Sequence, residues 1–162
     1  MTSRPDIVEC WVFRVRDGGP EVLLIRRSPG RIFPGLWQCV TGRLDRDEPI
    51  PLAALREVEE ETGFGPADIE AFFDLDQVSS FYAQEPDALA TSVIFAVRVG
   101  SDAEPRLSNE HDAYRWAPPD EALRLAVWPA YDESIRRITN HLMDAELAPW
   151  FELTMDGRRI RR

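Results

Sequence analysis

The segment Pro51 to Thr62, PLAALREVEEET, constrains this chain more than any other. Prolines at its start and Gly63 just past its end read as the two ends of a helix. At about 100° per residue, Glu57, Glu60 and Glu61 share an arc of about 100°, while Leu52, Leu55 and Val58 fill an arc centred nearly opposite. One face is therefore expected to dock on a sheet and the other to present three carboxylates side by side. Glu59 falls within the apolar arc, so its stem should pack and its head reach water. Like charges one turn apart repel by a few tenths of a kcal/mol, and the cluster needs an explanation. Two readings stand. The face is solvated, with Arg56 paired to Glu60, or it binds a hard divalent cation such as Mg²⁺, which takes oxygen ligands from carboxylates and substrate phosphates.

Charge bears on that choice. Asp and Glu number 29 against 19 Lys and Arg, a formal net charge of −10. Such a chain is a poor partner for a nucleic-acid polymer, which asks for a basic footprint. If its substrate carries phosphates, arginines or bound metal must neutralise them. The 162 residues make one domain, 1–162, large enough to bury a core without staples. Cys10 and Cys39 lie in apolar segments and read as buried, reduced thiols. No apolar run approaches the roughly 20 residues of a membrane span, and MTSRPDIVEC lacks the apolar core of a signal peptide. The expectation is a cytoplasmic enzyme without a membrane partner.

Along the chain, Ile7–Val15 and Glu21–Arg26 flank Asp17-Gly18-Gly19-Pro20 and read as a β-hairpin. Leu36–Val40 is a short strand. Ile69–Tyr82 and Thr91–Val99 are strands split by a Gln-Glu-Pro-Asp turn, and Ala113–Trp116 is another. Asp120–Ala126 and Ala130–Asp144 read as helices, the second burying Tyr131, Ile135, Ile138 and Leu142 at helical spacing. The tail GRRIRR reads as a solvated end. Helices flanking a mixed sheet make an α/β sandwich.

The stretch GRLDRDEPIPLAALREVEEETGF, Gly42 to Phe64, resembles the signature of the Nudix (MutT-like) hydrolases at all nine specified positions: Gly42, Glu48, Arg56, Glu57, Val58, Glu60, Glu61, Gly63 and Phe64. The resemblance implies the Nudix α/β/α sandwich with a mixed β-sheet, a Mg²⁺ cofactor that Mn²⁺ can replace, and hydrolysis of a diphosphate linkage. It implies that Glu57, Glu60 and Glu61 bind metal together with the Gly42 carbonyl. Arg56 would orient the carboxylates, Glu48 would support the loop–helix geometry, and Glu57 would be the base that activates the attacking water.

Outside that stretch, LSNEHDAYRWAPPDEAL (Leu107–Leu123) resembles a region shared by dihydroneopterin triphosphate diphosphatases and diadenosine tetraphosphate hydrolases. There Glu110 matches a further metal ligand or base. His111 reads as an ordinary hydrogen-bonding histidine or a general acid, and His141 has no claim to function. LWQCVTGRLDRDE resembles the dihydroneopterin enzymes, whereas Tyr82, 18 positions after Phe64, resembles the aromatic position of the dinucleoside enzymes. The ADP-ribose and coenzyme A branches fit worse. Arg26, Arg27 and Arg31 are candidate phosphate contacts, and Phe33, Trp37, Phe81 and Tyr82 are candidates to stack on a flat ring. The substrate expected first is dihydroneopterin triphosphate, then (d)NTPs, then diadenosine tetraphosphate. From other classes, a non-catalytic nucleotide sensor and a diphosphate-isoprenoid isomerase remain as alternatives. The expected partner is a small phosphate compound, and the chain a monomer or homodimer.

Overall fold

β1 (Ile7–Arg16) alternates faces strictly: Trp11 and Phe13 point to one side of the sheet, Val8, Cys10 and Val12 to the other. Period-2 alternation with both faces apolar belongs to a central strand covered on both sides. The computed structural model, which describes residues 2–161, places β1 there. β1 forms the expected hairpin with β2 (Gly19–Arg27) and runs parallel to β6 (Ala88–Val99), which pairs antiparallel with β5 (Ile69–Ala83). The mixed sheet has eight strands. Its first face packs on α2 (Pro119–Leu125) and α3 (Pro129–Arg137), with Tyr131, Ile135, Ile138 and Leu142 all buried. The second face is covered by α1 (Ile50–Thr62). This is the α/β/α sandwich.

Two expectations need correction. Leu36–Val40 is not one strand: β3 (Trp37–Gln38) pairs with β2, and β4 (Val40–Arg43) crosses to pair with the start of β1. Cys39, fully buried, marks the point where the chain changes partner. β1 thus carries β4 along Ile7–Cys10 and β2 along Phe13–Arg16, and the sheet forks between them. Ala130–Asp144 is α3 followed by a π-helical turn at Ile138–Leu142, whose wider winding no hydrophobic spacing announces. The tail is exposed along residues 158–161, as expected, and is also tied down: Leu153 bridges to Arg159, and the Arg159 guanidinium pairs with Asp74 at 2.5 Å. The short α4 (Ala148–Phe151) and β8 (Glu152–Leu153), which lies along β5, escape sequence reading because neither spans a full period of any pattern.

α1 meets its expected bounds. Gly63 ends it at φ 77°, its N–H donating to the Glu59 carbonyl, a left-handed cap that glycine adopts without strain. Its buried face differs from the expected one. Ala53, Ala54 and Val58 pack on the sheet with Glu61 and Thr62, while Leu52 is exposed and Leu55 half-buried. Small alanines let the helix axis come close to β1 and β4, and that closeness rotates Glu61 under the helix. Glu59 is exposed, its head in water as expected.

Candidate active site

A cleft of about 460 Å³ opens at the fork of the sheet, lined by Arg27, Thr41, Gly42, Arg43, Glu57, Glu60, Glu61, Ser108, Asn109 and Glu110. Each wall has a local cause. β4 supplies Thr41–Arg43, its backbone facing α1. There a Cβ on Gly42 would lie 2.0 Å from the Glu57 carboxyl carbon, so only glycine lets that carboxylate lie against the strand. The loop Ser108–Glu110 is sewn to the β2 end: Ser28 N–H donates to the Glu110 carbonyl at 3.0 Å, and the Ser28 hydroxyl to the Asn109 carbonyl at 3.0 Å.

The three helical carboxylates are not equivalent. The Glu60 side chain is 58% exposed, Glu57 12% and Glu61 2%. The expectation of three carboxylates side by side at the surface therefore fails for Glu61, which is buried beneath the cleft floor. Burial, then the charges of Glu57 and Glu110, push its carboxyl up to about 9. Desolvation also raises Glu57, opposed by its hydrogen bond from Arg56.

Arg56 is the hub. Its guanidinium donates to Glu48 at 2.7 and 3.0 Å, to Glu57 at 2.8 Å, to Glu60 at 3.2 Å and to the Arg43 carbonyl at 3.1 Å. One side chain thereby links the loop, the strand and the acidic face through charge-assisted bonds. Glu48 also accepts from the Asp45 N–H at 3.1 Å, closing the loop before α1, and the Arg56 hydrogen bond holds its carboxyl below the usual range. The Arg56–Glu60 pair of the solvated-face reading exists, as one contact among five.

β7 (His111–Ala117) brings the far wall. Its register against β2 slips at Arg26 and Arg27, which face Ala113 and His111, so Asp112 is an extra residue bulged outward to pair with Arg26 at 2.8 Å. The bulge turns His111 inward, where it is 3% exposed. The expectation of an ordinary hydrogen-bonding histidine is not met: among the described residues neither ring nitrogen has a hydrogen-bond partner, nor has either Glu61 carboxylate oxygen. Nδ1 lies 3.7 Å from Glu61 Oε1. Burial, then Arg27 and Arg31, push the imidazole down to about 4. Buried polar atoms without partners cost a few kcal/mol each, and four together suit a site that binds a cation. The oxygen donors of Glu57, Glu60, Glu61 and Glu110 fit a hard divalent ion.

Of the candidate substrate contacts, Arg27 lies on the cleft wall, its Nε donating to the Ile32 carbonyl at 3.1 Å. Arg31 approaches Asn109 at 3.4 Å and Glu110 at 4.0 Å. Arg26 and Trp37 stack on each other beyond the wall, 5.7 Å from guanidinium to ring. Phe33, at φ 54° and 60% exposed, stands on the loop after Arg27 and meets Trp128 edge-on, ring centroids 5.5 Å apart. Trp128 was not foreseen; it immediately precedes α3, and no spacing pattern marks it. Tyr82 is at the far tip of the β5–β6 hairpin, its hydroxyl donating to Asp87 at 2.9 Å.

The match to known proteins follows this geometry. A family model of the NUDIX domain fits residues 5–138. The chain belongs to the Nudix hydrolase family. It is 41% identical over 129 residues to an octanoyltransferase of Myxococcus xanthus, an alignment covering 77% of this chain and 34% of that protein, so the chain spans about a third of that relative's length. It is 33% identical over 106 residues to the asymmetrical bis(5'-nucleosyl)-tetraphosphatase of Rattus norvegicus, covering 65% of this chain and 69% of that one. The solved dihydroneopterin triphosphate pyrophosphohydrolase of E. coli shares the Nudix fold at 22% identity, with a TM-score of 0.71 over 84% of this chain and 95% of that one. No helix among the described residues is long and apolar enough to cross a membrane.

Proposed function

We propose that this chain is a Mg²⁺-dependent diphosphatase acting on a polyphosphate attached to a flat ring, dihydroneopterin triphosphate or a (d)NTP first. The observation that carries the proposal is the convergence of Glu57, Glu60, Glu61 and Glu110 with Arg27 around one open cleft. Bound by those carboxylates and the Gly42 carbonyl, Mg²⁺ would neutralise phosphate oxygens and polarise phosphorus. Glu57, whose carboxyl burial raises above its ordinary value, takes the proton of the attacking water. Arg56 keeps that carboxylate aimed while Glu57 gains and loses the proton. The hydroxide adds to phosphorus in line, the bridging P–O bond breaks, and its electron pair leaves with the departing phosphate. Arg27 at the wall meets the charge of the phosphate chain, and Phe33 with Trp128 offers a platform for the ring. A cytoplasmic location goes with such a substrate.

A second reading, diadenosine tetraphosphate cleaved to ATP and AMP, draws support from the likeness to the rat tetraphosphatase. Purified protein is to be given each substrate with millimolar Mg²⁺, and kcat/KM compared in one buffer. The triphosphate should be preferred and release pyrophosphate. A preference of about tenfold for the dinucleotide, about 1.4 kcal/mol in transition-state binding, transfers the proposal to the second reading. Tight binding with no turnover of any substrate would instead make the chain a nucleotide sensor.

A further inference from the structure

His111 lies outside the Nudix stretch, and nothing in the proposed hydrolysis uses it. Its chemistry differs from everything else at the cleft: it brings nitrogen to a set of oxygens. One ligand atom each from Glu61, Glu110 and His111 lies within 4.8 Å of the others. Two ligands on one cation at about 2.1 Å are at most about 4.2 Å apart, so small side-chain movements would bring all three onto one ion. Glu61 and His111 are both almost fully buried, and all four of their polar side-chain atoms lack a hydrogen-bond partner among the described residues. Burial of that kind is tolerated where a ligand repays it.

We infer that His111 is a metal ligand: with Glu61 and Glu110 it forms an inner site of mixed nitrogen and oxygen donors that selects a transition-metal dication such as Mn²⁺ over Mg²⁺. The inference deepens the proposed hydrolase reading and rests on its metal site. Imidazole is a good ligand for first-row transition metals, whereas Mg²⁺ prefers oxygen and its own waters. The fold prepares the residue for this work. The bulge at Asp112 turns the ring inward, so that its Nδ1 lies 3.7 Å from Glu61 Oε1. Asp112, the residue that follows His111, faces away and is occupied by Arg26, so it does not compete for the ring. The outer carboxylates Glu57 and Glu60, held by Arg56, remain for the substrate-bridging ion.

The test is pulsed EPR of Mn²⁺ bound to the wild-type protein, prepared once with natural nitrogen and once uniformly labelled with ¹⁵N, alongside calorimetric titration with Mn²⁺ and Mg²⁺. The expected result is a nitrogen coupling of directly bound imidazole that changes on labelling, and Mn²⁺ affinity at least about tenfold above Mg²⁺. In His111→Asn the coupling should vanish and Mn²⁺ affinity fall about tenfold or more, with Mg²⁺ affinity within about twofold of wild type. Bound Mn²⁺ without nitrogen coupling overturns the inference, as does equal weakening of both ions, which would make His111 a prop for Glu61. The wild-type spectrum decides even if His111→Asn fails to fold. Hydrolysis with Mg²⁺ that persists without nitrogen coupling leaves the hydrolase reading standing and removes only this inference. Nitrogen coupling without any hydrolysis does the reverse.

Discussion

The acidic face of α1, which lines the cleft, and the aromatic rim formed by Phe33 and Trp128 on the loops beyond it are built on opposite principles. On α1 every functional side chain is held: Arg56 alone makes five hydrogen bonds, Gly42 seats Glu57, and the sheet buries Glu61. On the rim, Phe33, Ile32, Val127 and Trp128 stand exposed, and the two rings touch chiefly each other. Under the proposed function, the difference assigns bond-breaking to the first region and choice of substrate to the second. Positioning of charge tolerates little error and is bought with dense hydrogen bonding, whereas a ring platform works through apolar area and can vary.

The sharpest way to break that comparison is at the rigid side. Glu61→Gln keeps the shape and removes the charge that a cation needs, and it should lower kcat by about a thousandfold or more, roughly 4 kcal/mol, without unfolding the protein. Glu59→Gln, one turn from Arg56 but exposed and outside the hub, should stay within about twofold. Steady-state kinetics with circular dichroism as a folding control checks both. Equal tolerance of the two changes would mean that burial, and not metal chemistry, accounts for Glu61.

Acid–base linkage offers a test of intermediate size. In the metal-free fold Glu61 is raised to about 9 from an ordinary value of 4.5. The folded state therefore keeps a proton that the unfolded chain releases, and this contribution is full below about 4.5 and is lost as pH rises toward 9. A cation must displace that proton. Melting temperatures across millimolar Mg²⁺ should rise, and the increment should be larger at about pH 8 than at about pH 6. An increment that shrinks with pH would contradict the assignment of Glu61 as a ligand.

The smallest effects belong to the rim. Phe33→Ala and Trp128→Ala should each raise KM about five- to twentyfold with kcat within about threefold, because they remove binding shared by ground and transition states. Tyr82→Ala, far out on the hairpin, should change triphosphate hydrolysis by less than about twofold. A kcat loss at Phe33 matching that of Glu61→Gln would erase the division between the two regions.

Local order along the chain was open to reading from the sequence: strand alternation in Ile7–Arg16, the proline start and glycine stop of α1, and the spacing of Glu57, Glu60 and Glu61. These are short-range matters, decided by backbone sterics and by periods of 2 and 3.6 residues. The helical wheel failed at Leu52 and Glu61, because which side of a helix is buried depends on how closely it approaches its partner, and Ala53 and Ala54 permit an approach that hydrophobicity alone does not rank. The burial of His111 and the presence of Trp128 lay beyond sequence reasoning for the same kind of cause. A one-residue bulge in β7 aims the first inward, and the loop after β2 meets the second, contacts between segments some 80 and more residues apart in the chain, as the Arg27–His111 and Phe33–Trp128 pairings show. The sequence by itself determined the β1–β2 hairpin, the bounds of α1 and the charges that α1 carries. Only the tertiary structure decided which of those charges are buried, and which residues from elsewhere meet them, because burial and encounter are properties of packed surfaces and not of any single segment.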